Sequence, residues 1–197
     1  MKRLINGRIL IMYKITLDPG HGGSDPGGVY GDLIEKDITL TIAIECEKEL
    51  LRHGIKVHMT RDADKYLGLS QRTTMANNNM SDYFISIHCN VGGGDRGEII
   101  YSIYNGKGLE LTKKICNEIM NIGQNQVKIY NRMNKSGRDY FPLIRDTIMD
   151  AIIIKCAFID NEEDNKIIST IENQKKFGKA IAKGILSQLD IECTDMD

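Results

Sequence analysis

The sequence predicts an α/β fold: one domain with a largely parallel sheet flanked by helices on both faces. Three observations point there. Short β-branched, apolar runs alternate with segments of helical period along the chain. The length, 197 residues, suits one domain better than two. No internal repeat, low-complexity tract or linker breaks the alternation.

The elements follow in order. Tyr13 to Leu17 is short, apolar and β-branched and reads as a strand, ended by Asp18-Pro19-Gly20-His21-Gly22-Gly23. A Gly/Asp/Pro loop continues to about Asp32. From Glu35 to His53, Ile38, Ile42, Cys46 and Leu50 form the apolar stripe of a helix, and Gly54 is its C-terminal stop. Ile55 to Thr60 is the next strand, and Leu69 to Met80 a second helix starting near Ser70. Tyr83 to Ile87 is a strand ending at His88, Gly92-Gly93-Gly94 a turn, and Glu98 to Tyr104 a strand. Leu109 to Ile122 is helical, and Lys128 to Asp146 is polar and irregular. Ala151 to Ala157 is a strand, followed by helices over Asn161 to Ser169 and Asn173 to Leu189. Residues 1–12 are expected to be an N-terminal extension, 13–190 the domain, and 191–197 a polar tail.

Composition excludes several classes. Hydrophobic residues make up 41% and charged residues 27%, the balance of an ordinary globular protein with a sizeable core. A net charge of -1 with dispersed Lys and Arg gives no footprint for nucleic acid. Trp is absent, which weakens readings that need a large aromatic platform. No apolar run reaches the ~18 residues of a membrane span. The N-terminus is not read as a signal peptide, because Asn6, Gly7 and Arg8 interrupt its apolar stretch. The five Cys are odd in number and lack CxxC spacing, so they are expected to be buried thiols made in a reducing compartment.

The chemistry lies at one edge. Ligands of open α/β sheets bind beyond the carboxyl ends of the strands. His21 follows the first strand, His88 ends another, and Glu35 opens the first long helix near that edge. Two His and one carboxylate match a catalytic zinc site that keeps a fourth position for water. Bound zinc brings the pKa of water to about 7. Gly20, Gly22 and Gly23 let the backbone bend around His21. Each signal alone is weak: a His at a strand end is commonly structural, and a Glu opening a helix commonly serves the helix dipole.

In sequence context the set is specific. Leu17-Asp18-Pro19-Gly20-His21-Gly22-Gly23, then Glu35-Lys36-Asp37, then Ser86-Ile87-His88-Cys89-Asn90 resembles the zinc-dependent N-acetylmuramoyl-L-alanine amidases of the amidase_3 type. Thr60-Arg61, Arg72, Ala76-Asn77 and Phe158-Ile159-Asp160-Asn161 extend the resemblance over residues 13–189. It implies a twisted, mostly parallel sheet of about six strands flanked by helices. It also implies Zn2+ on His21, Glu35 and His88, and cleavage of the amide between the lactyl group of muramic acid and L-alanine in peptidoglycan.

The resemblance fails at one position. The family's second glutamate, its acid/base, falls at Lys155 within Ile152-Ile153-Ile154-Lys155-Cys156-Ala157-Phe158. An ammonium has three donors and no acceptor, so it cannot take a proton from water; a neutral amine at this position is the alternative that could act as a base. Acid/base groups contribute about 10²- to 10⁴-fold, so a large loss of rate is expected. Lys155 is also expected to weaken zinc binding, or to turn toward Glu35 or solvent; a strand-end Lys pointing outward is the plain alternative. Glu162 and Glu163 read as the first turn of a helix and not as substitute bases. The substitution is either an inactivating change or natural to a relative that binds wall without cutting it.

Other residues carry lesser expectations. Asn90 is a candidate for substrate contact, as is Arg145 (or Arg138) in the irregular stretch. Arg61 and Arg72 are read as scaffolding, His53 and His58 as structural, and Cys89 as facing away from His88. Three functions therefore stand: a wall amidase impaired at Lys155, a non-catalytic peptidoglycan-binding module, and a zinc peptidase. The expected partner is a peptidoglycan stem, with no nucleic acid or membrane, and the expected state is a monomer. The expected setting is synthesis in the cytoplasm and action on the wall after release by lysis or through phage-made membrane holes.

Overall fold

The computed structural model describes the backbone of residues 2–5 and 8–194. β1 (Lys2–Ile5) and β2 (Arg8–Ile11) pair antiparallel in a two-stranded sheet. A six-stranded sheet follows, built from β3 (Lys14–Pro19), β6 (Lys56–Met59), β7 (Tyr83–Asn90), β8 (Gly97–Tyr101), β9 (Val127–Tyr130) and β10 (Asp150–Phe158). The order is β6-β3-β7-β10-β8-β9. Pairing is parallel except between β10 and β8.

Two-residue alternation sorts the strand side chains into two layers. Ile15, Leu17, Ile85, Ile87, Ile152 and Ile154 face α1 (Glu35–Arg52), α3 (Gly106–Asn121) and α6 (Ile171–Gln188), with Phe177 filling the layer. Phe84, Ile100 and Ile153 face α2 (Leu69–Asn79) and the short α4 (Pro142–Arg145), against Ala76, Leu143 and Ile144. Gly178 and Gly184 let α6 lie close to its neighbours. A Cβ at Gly178 would come 2.6 Å from Ile42 O, and one at Gly184 would come 2.7 Å from Ile115 Cα. α5 (Glu162–Ile168) begins at Asn161, whose side chain accepts from the N–H groups of Glu163 and Asp164. Glu162 and Glu163 occupy its first turn, as the sequence predicts.

Several expectations need correction. His88 does not end its strand, because β7 runs on to Asn90. β8 stops at Tyr101 rather than Tyr104. The stretch from Lys128 to Asp146 is not wholly irregular: β9 caps the sheet edge and α4 packs on β10. The long loop carries a small hairpin of β4 (Val29–Tyr30) and β5 (Leu33–Ile34). Cys46, Cys89 and Cys156 are buried, whereas Cys116 and Cys193 are only half-buried.

Candidate metal centre

The site grows from the C-terminal ends of β3 and β7. Gly20 N–H donates to Ile87 O at 2.9 Å, carrying the chain out of β3 beside β7. His21 then takes φ 61, the left-handed region a non-glycine residue enters at a cost of about 1–3 kcal/mol. Two buried arginines hold that turn. Arg72 donates to Pro19 O (2.7 Å), His21 O (2.6 Å) and the Asp18 carboxylate (2.8 Å). Arg61 donates to Pro19 O (3.0 Å) and Gly20 O (2.8 Å). Asp18 is fully buried and also accepts from Thr60 and Ser86 hydroxyls. Both arginines are scaffolding, as expected from the sequence.

His88 projects from β7 against this turn. Its ring packs so tightly on Gly20 that a Cβ there would come within 2.3 Å of it. Glu35, the first residue of α1, reaches the same point. Its Oε1 accepts from Cys89 N–H at 2.8 Å and its Oε2 from Gly28 N–H at 2.8 Å. Cys89 itself faces the opposite layer, where burial pushes its thiol well above the usual value.

Three donor atoms converge. His21 Nε2 and His88 Nδ1 are 3.1 Å apart, and Glu35 Oε1 is 3.1 Å from each. Ligands at 2.0–2.1 Å from a tetrahedral zinc stand about 3.3 Å from one another, so this triangle fits one face of such a polyhedron. Asp25 Oδ2 lies 2.9 Å from His21 Nδ1 and accepts a hydrogen bond from its N–H, so that in the neutral ring the lone pair is on Nε2, the atom facing the other two donors. Burial would raise the Glu35 carboxyl, but the two imidazoles outweigh it and hold Glu35 well below the usual carboxylate range, ionised as a ligand must be. Burial would lower the His21 imidazole, but Glu35 and Asp25 outweigh it and raise it. The donor set therefore fits a divalent zinc-like ion. A second gathering, Glu49, His53 and Cys193, fits less well. Both His53 nitrogens are engaged there, Nδ1 with Glu49 O at 2.8 Å and Nε2 with Thr194 N–H at 3.1 Å.

The triad opens into a cavity of about 410 Å³ walled by Leu69, Val91, Phe141 and Leu143. Lys155 lies in it beside His88, its partner in the β7–β10 register. It turns neither toward Glu35 nor freely into solvent: Nζ donates to Asn90 Oδ1 at 2.7 Å. On its other side Lys155 is paired in register with Glu98 of β8. Glu98 is 7% exposed and committed elsewhere. Its Oε1 accepts from Arg96 Nε (2.9 Å) and Nη2 (2.7 Å), and its Oε2 accepts from Tyr130 OH at 3.3 Å.

Asn90 thus stands in the cavity, as a substrate contact would. Arg145 does not; it lines a separate cavity and pairs with Asp146 at 3.0 Å. Sequence reading missed Asp25, whose signal was a carboxylate four residues after His21. It also missed Glu98, whose place beside Lys155 comes from the antiparallel register alone.

With the geometry in hand, comparisons place the chain among known proteins. A family model described as N-acetylmuramoyl-L-alanine amidase matches residues 15–187. The sporulation-specific N-acetylmuramoyl-L-alanine amidase of Bacillus subtilis is 32% identical over 186 residues, covering 93% of this chain and 71% of that protein. The amidase CwlM of Bacillus licheniformis is 35% identical over 178 residues, covering 88% of this chain and 66% of that protein. Among solved structures, Cwp6 from Clostridium difficile superposes with a TM-score of 0.87 at 34% identity, over 91% of this chain but 30% of that one.

Proposed function

Because the chain belongs to the N-acetylmuramoyl-L-alanine amidase family, we propose that its cavity receives the muramoyl–L-alanine junction of peptidoglycan and that Lys155 leaves its hydrolysis slow. His21, Glu35 and His88 would hold the zinc. Zinc bound there would supply Lewis acidity toward water and toward the lactyl carbonyl. The reaction adds water's oxygen to the lactyl carbonyl carbon, breaks the C–N bond and delivers a proton to the L-alanine amine.

The protein's own residues perform the rest. Asp25 fixes the tautomer and tilt of His21, while Arg72 and Arg61 fix the turn that carries it. Phe141, Leu143 and Val91 give the cavity apolar walls. The step lacking a carrier is proton transfer. Lys155 lines the cavity beyond the triad, and as an ammonium it accepts nothing; Cys89 also borders it, but its thiol packs in the opposite layer. Glu98, next to it, is already occupied by Arg96 and Tyr130. The observation that carries this reading is the 3.1 Å triangle of donors.

The same Lys155 favours a second reading, a module that binds peptidoglycan without cutting it. A wall-turbidity assay on the chain and its Lys155→Glu variant decides. Clearing by the variant and not by the parent makes the chain a disabled amidase. Binding of walls by both, with clearing by neither, makes it a binding module. Cleavage of free peptides but not of muropeptides would replace both readings with a zinc peptidase. Among the described residues no helix is long and apolar enough to cross a membrane, and action on the wall after release from the cell remains part of this proposal.

A further inference from the structure

Amide hydrolysis changes the charge of its substrate. The muramoyl amide is neutral, whereas the lactyl group left on the sugar is a carboxylate. We propose that this cavity retains that carboxylate in preference to the amide, with Lys155 as the residue that selects it, so that the ligand favoured by this chain is glycan already stripped of peptide. The inference rests on the muramoyl-site reading above.

Lys155 has hydrogen-bonding capacity left over. Lys155 Nζ has three N–H donors, and Asn90 Oδ1 accepts one of them. No carboxylate among the described residues pairs with it at salt-bridge distance. The nearby candidates are bound elsewhere. Glu35 is held by two imidazoles and two backbone N–H groups. Glu98, though opposite in register, is gripped by Arg96 and Tyr130. Against burial, Arg96 foremost and Lys155 at longer range hold the Glu98 carboxyl below the usual carboxylate range, yet Lys155 makes no ion pair with it, and Asn90 Nδ2 is buried without a hydrogen-bond partner. Two ammonium donors therefore remain in the same cavity as the donor triad.

An incoming amide offers those donors one neutral oxygen. An incoming carboxylate offers two oxygens and a full negative charge, and charge-assisted hydrogen bonds are about twice as strong as neutral ones. The difference corresponds to a preference of about tenfold or more for the acid. The lactyl methyl and sugar face would meet Phe141 and Leu143.

Calorimetry on the zinc-supplemented full chain tests this with three ligands: N-acetylmuramic acid, its lactyl carboxamide, and N-acetylmuramoyl-L-alanine. The acid is expected to bind about tenfold more tightly than the carboxamide. In Lys155→Met, which keeps most of the side chain's length, that ratio is expected to collapse; in Lys155→Glu it is expected to invert. Equal affinity for acid and carboxamide, or a preference that survives in Lys155→Met, overturns the inference while leaving the amidase reading standing. Failure of all three ligands to bind any variant overturns both. Zinc alone attracts carboxylates, so the comparison that counts is between the parent chain and its Lys155→Met variant at equal zinc content.

Discussion

Asp25 Oδ2 accepts a hydrogen bond from His21 Nδ1 at 2.9 Å, on the far side of the imidazole from Glu35 Oε1, which lies 3.1 Å from Nε2. The ring is thus held at both ends by carboxylates, one placing its proton and one sharing its target. Orienting partners of this kind are worth about 10- to 100-fold in metal affinity. Asp25→Asn should weaken zinc binding by that amount in a chelator competition while leaving the melting temperature of the metal-free protein nearly unchanged. Unaltered zinc affinity would remove Asp25 from the site.

The same pair sets a pH dependence. His21 is raised, against burial, by Glu35 and Asp25, so in the metal-free protein its proton adds stability below the unfolded value of 6.5 that is lost as pH rises through the folded value. Glu35 is lowered, so its contribution is present above 4.5 and is lost as pH falls through its folded value. Zinc needs the imidazole unprotonated. The rise in melting temperature caused by zinc should therefore grow between about pH 6 and about pH 8. A gain that is flat or shrinks over that range would contradict the assignment of His21 as a ligand.

Arg72 carries a separate load. It is 3% exposed and pairs with Asp18, which is fully buried, while its other N–H groups hold the carbonyls of Pro19 and His21. Arg72→Ala leaves Asp18 charged and unpaired, a loss of about 3–5 kcal/mol in denaturant unfolding. Adding Asp18→Asn should recover part of that stability, yet not the zinc affinity, because the His21 carbonyl stays unheld. Recovery of both would mean that Arg72 acts only through charge.

Gly178 tests the helical layer. Alanine raises helix propensity by about 1 kcal/mol at an exposed site. Here its Cβ would lie 2.6 Å from Ile42 O and 2.8 Å from Glu45 Cβ. Gly178→Ala should destabilise by about 1–3 kcal/mol through forced separation of α6 from α1. A stabilised variant would show that the two helices have room to part.

Legibility followed how local each signal was. The strands through Leu17 and Ile87 and the helix from Glu35 were readable because apolar period and flanking glycines agree within a few residues. The convergence of His21, Glu35 and His88 was readable because all three sit at or near element ends. The edge strand at Val127 to Tyr130 was not, because four residues with an exposed Lys128 leave too little pattern. The hairpin at Val29 to Ile34 hides in a stretch whose glycines and aspartates read as loop. The surroundings of Lys155 were beyond reach for another reason. Its neighbours Asn90 and Glu98 are far away in sequence and meet it only because β10 is flanked by two different strands.

Gly20 and His88 share one volume: the space a methyl group would need at position 20 is already filled by the imidazole. Neither position can therefore drift alone. A larger residue at 20 evicts the ring and with it one of the three proposed metal donors, whereas a smaller residue at 88 leaves a hole beside a bare backbone. Descendants of this chain that abandon the proposed metal site would be free to change both together, so a side chain appearing at position 20 would betray the loss of that site before position 88 itself is inspected.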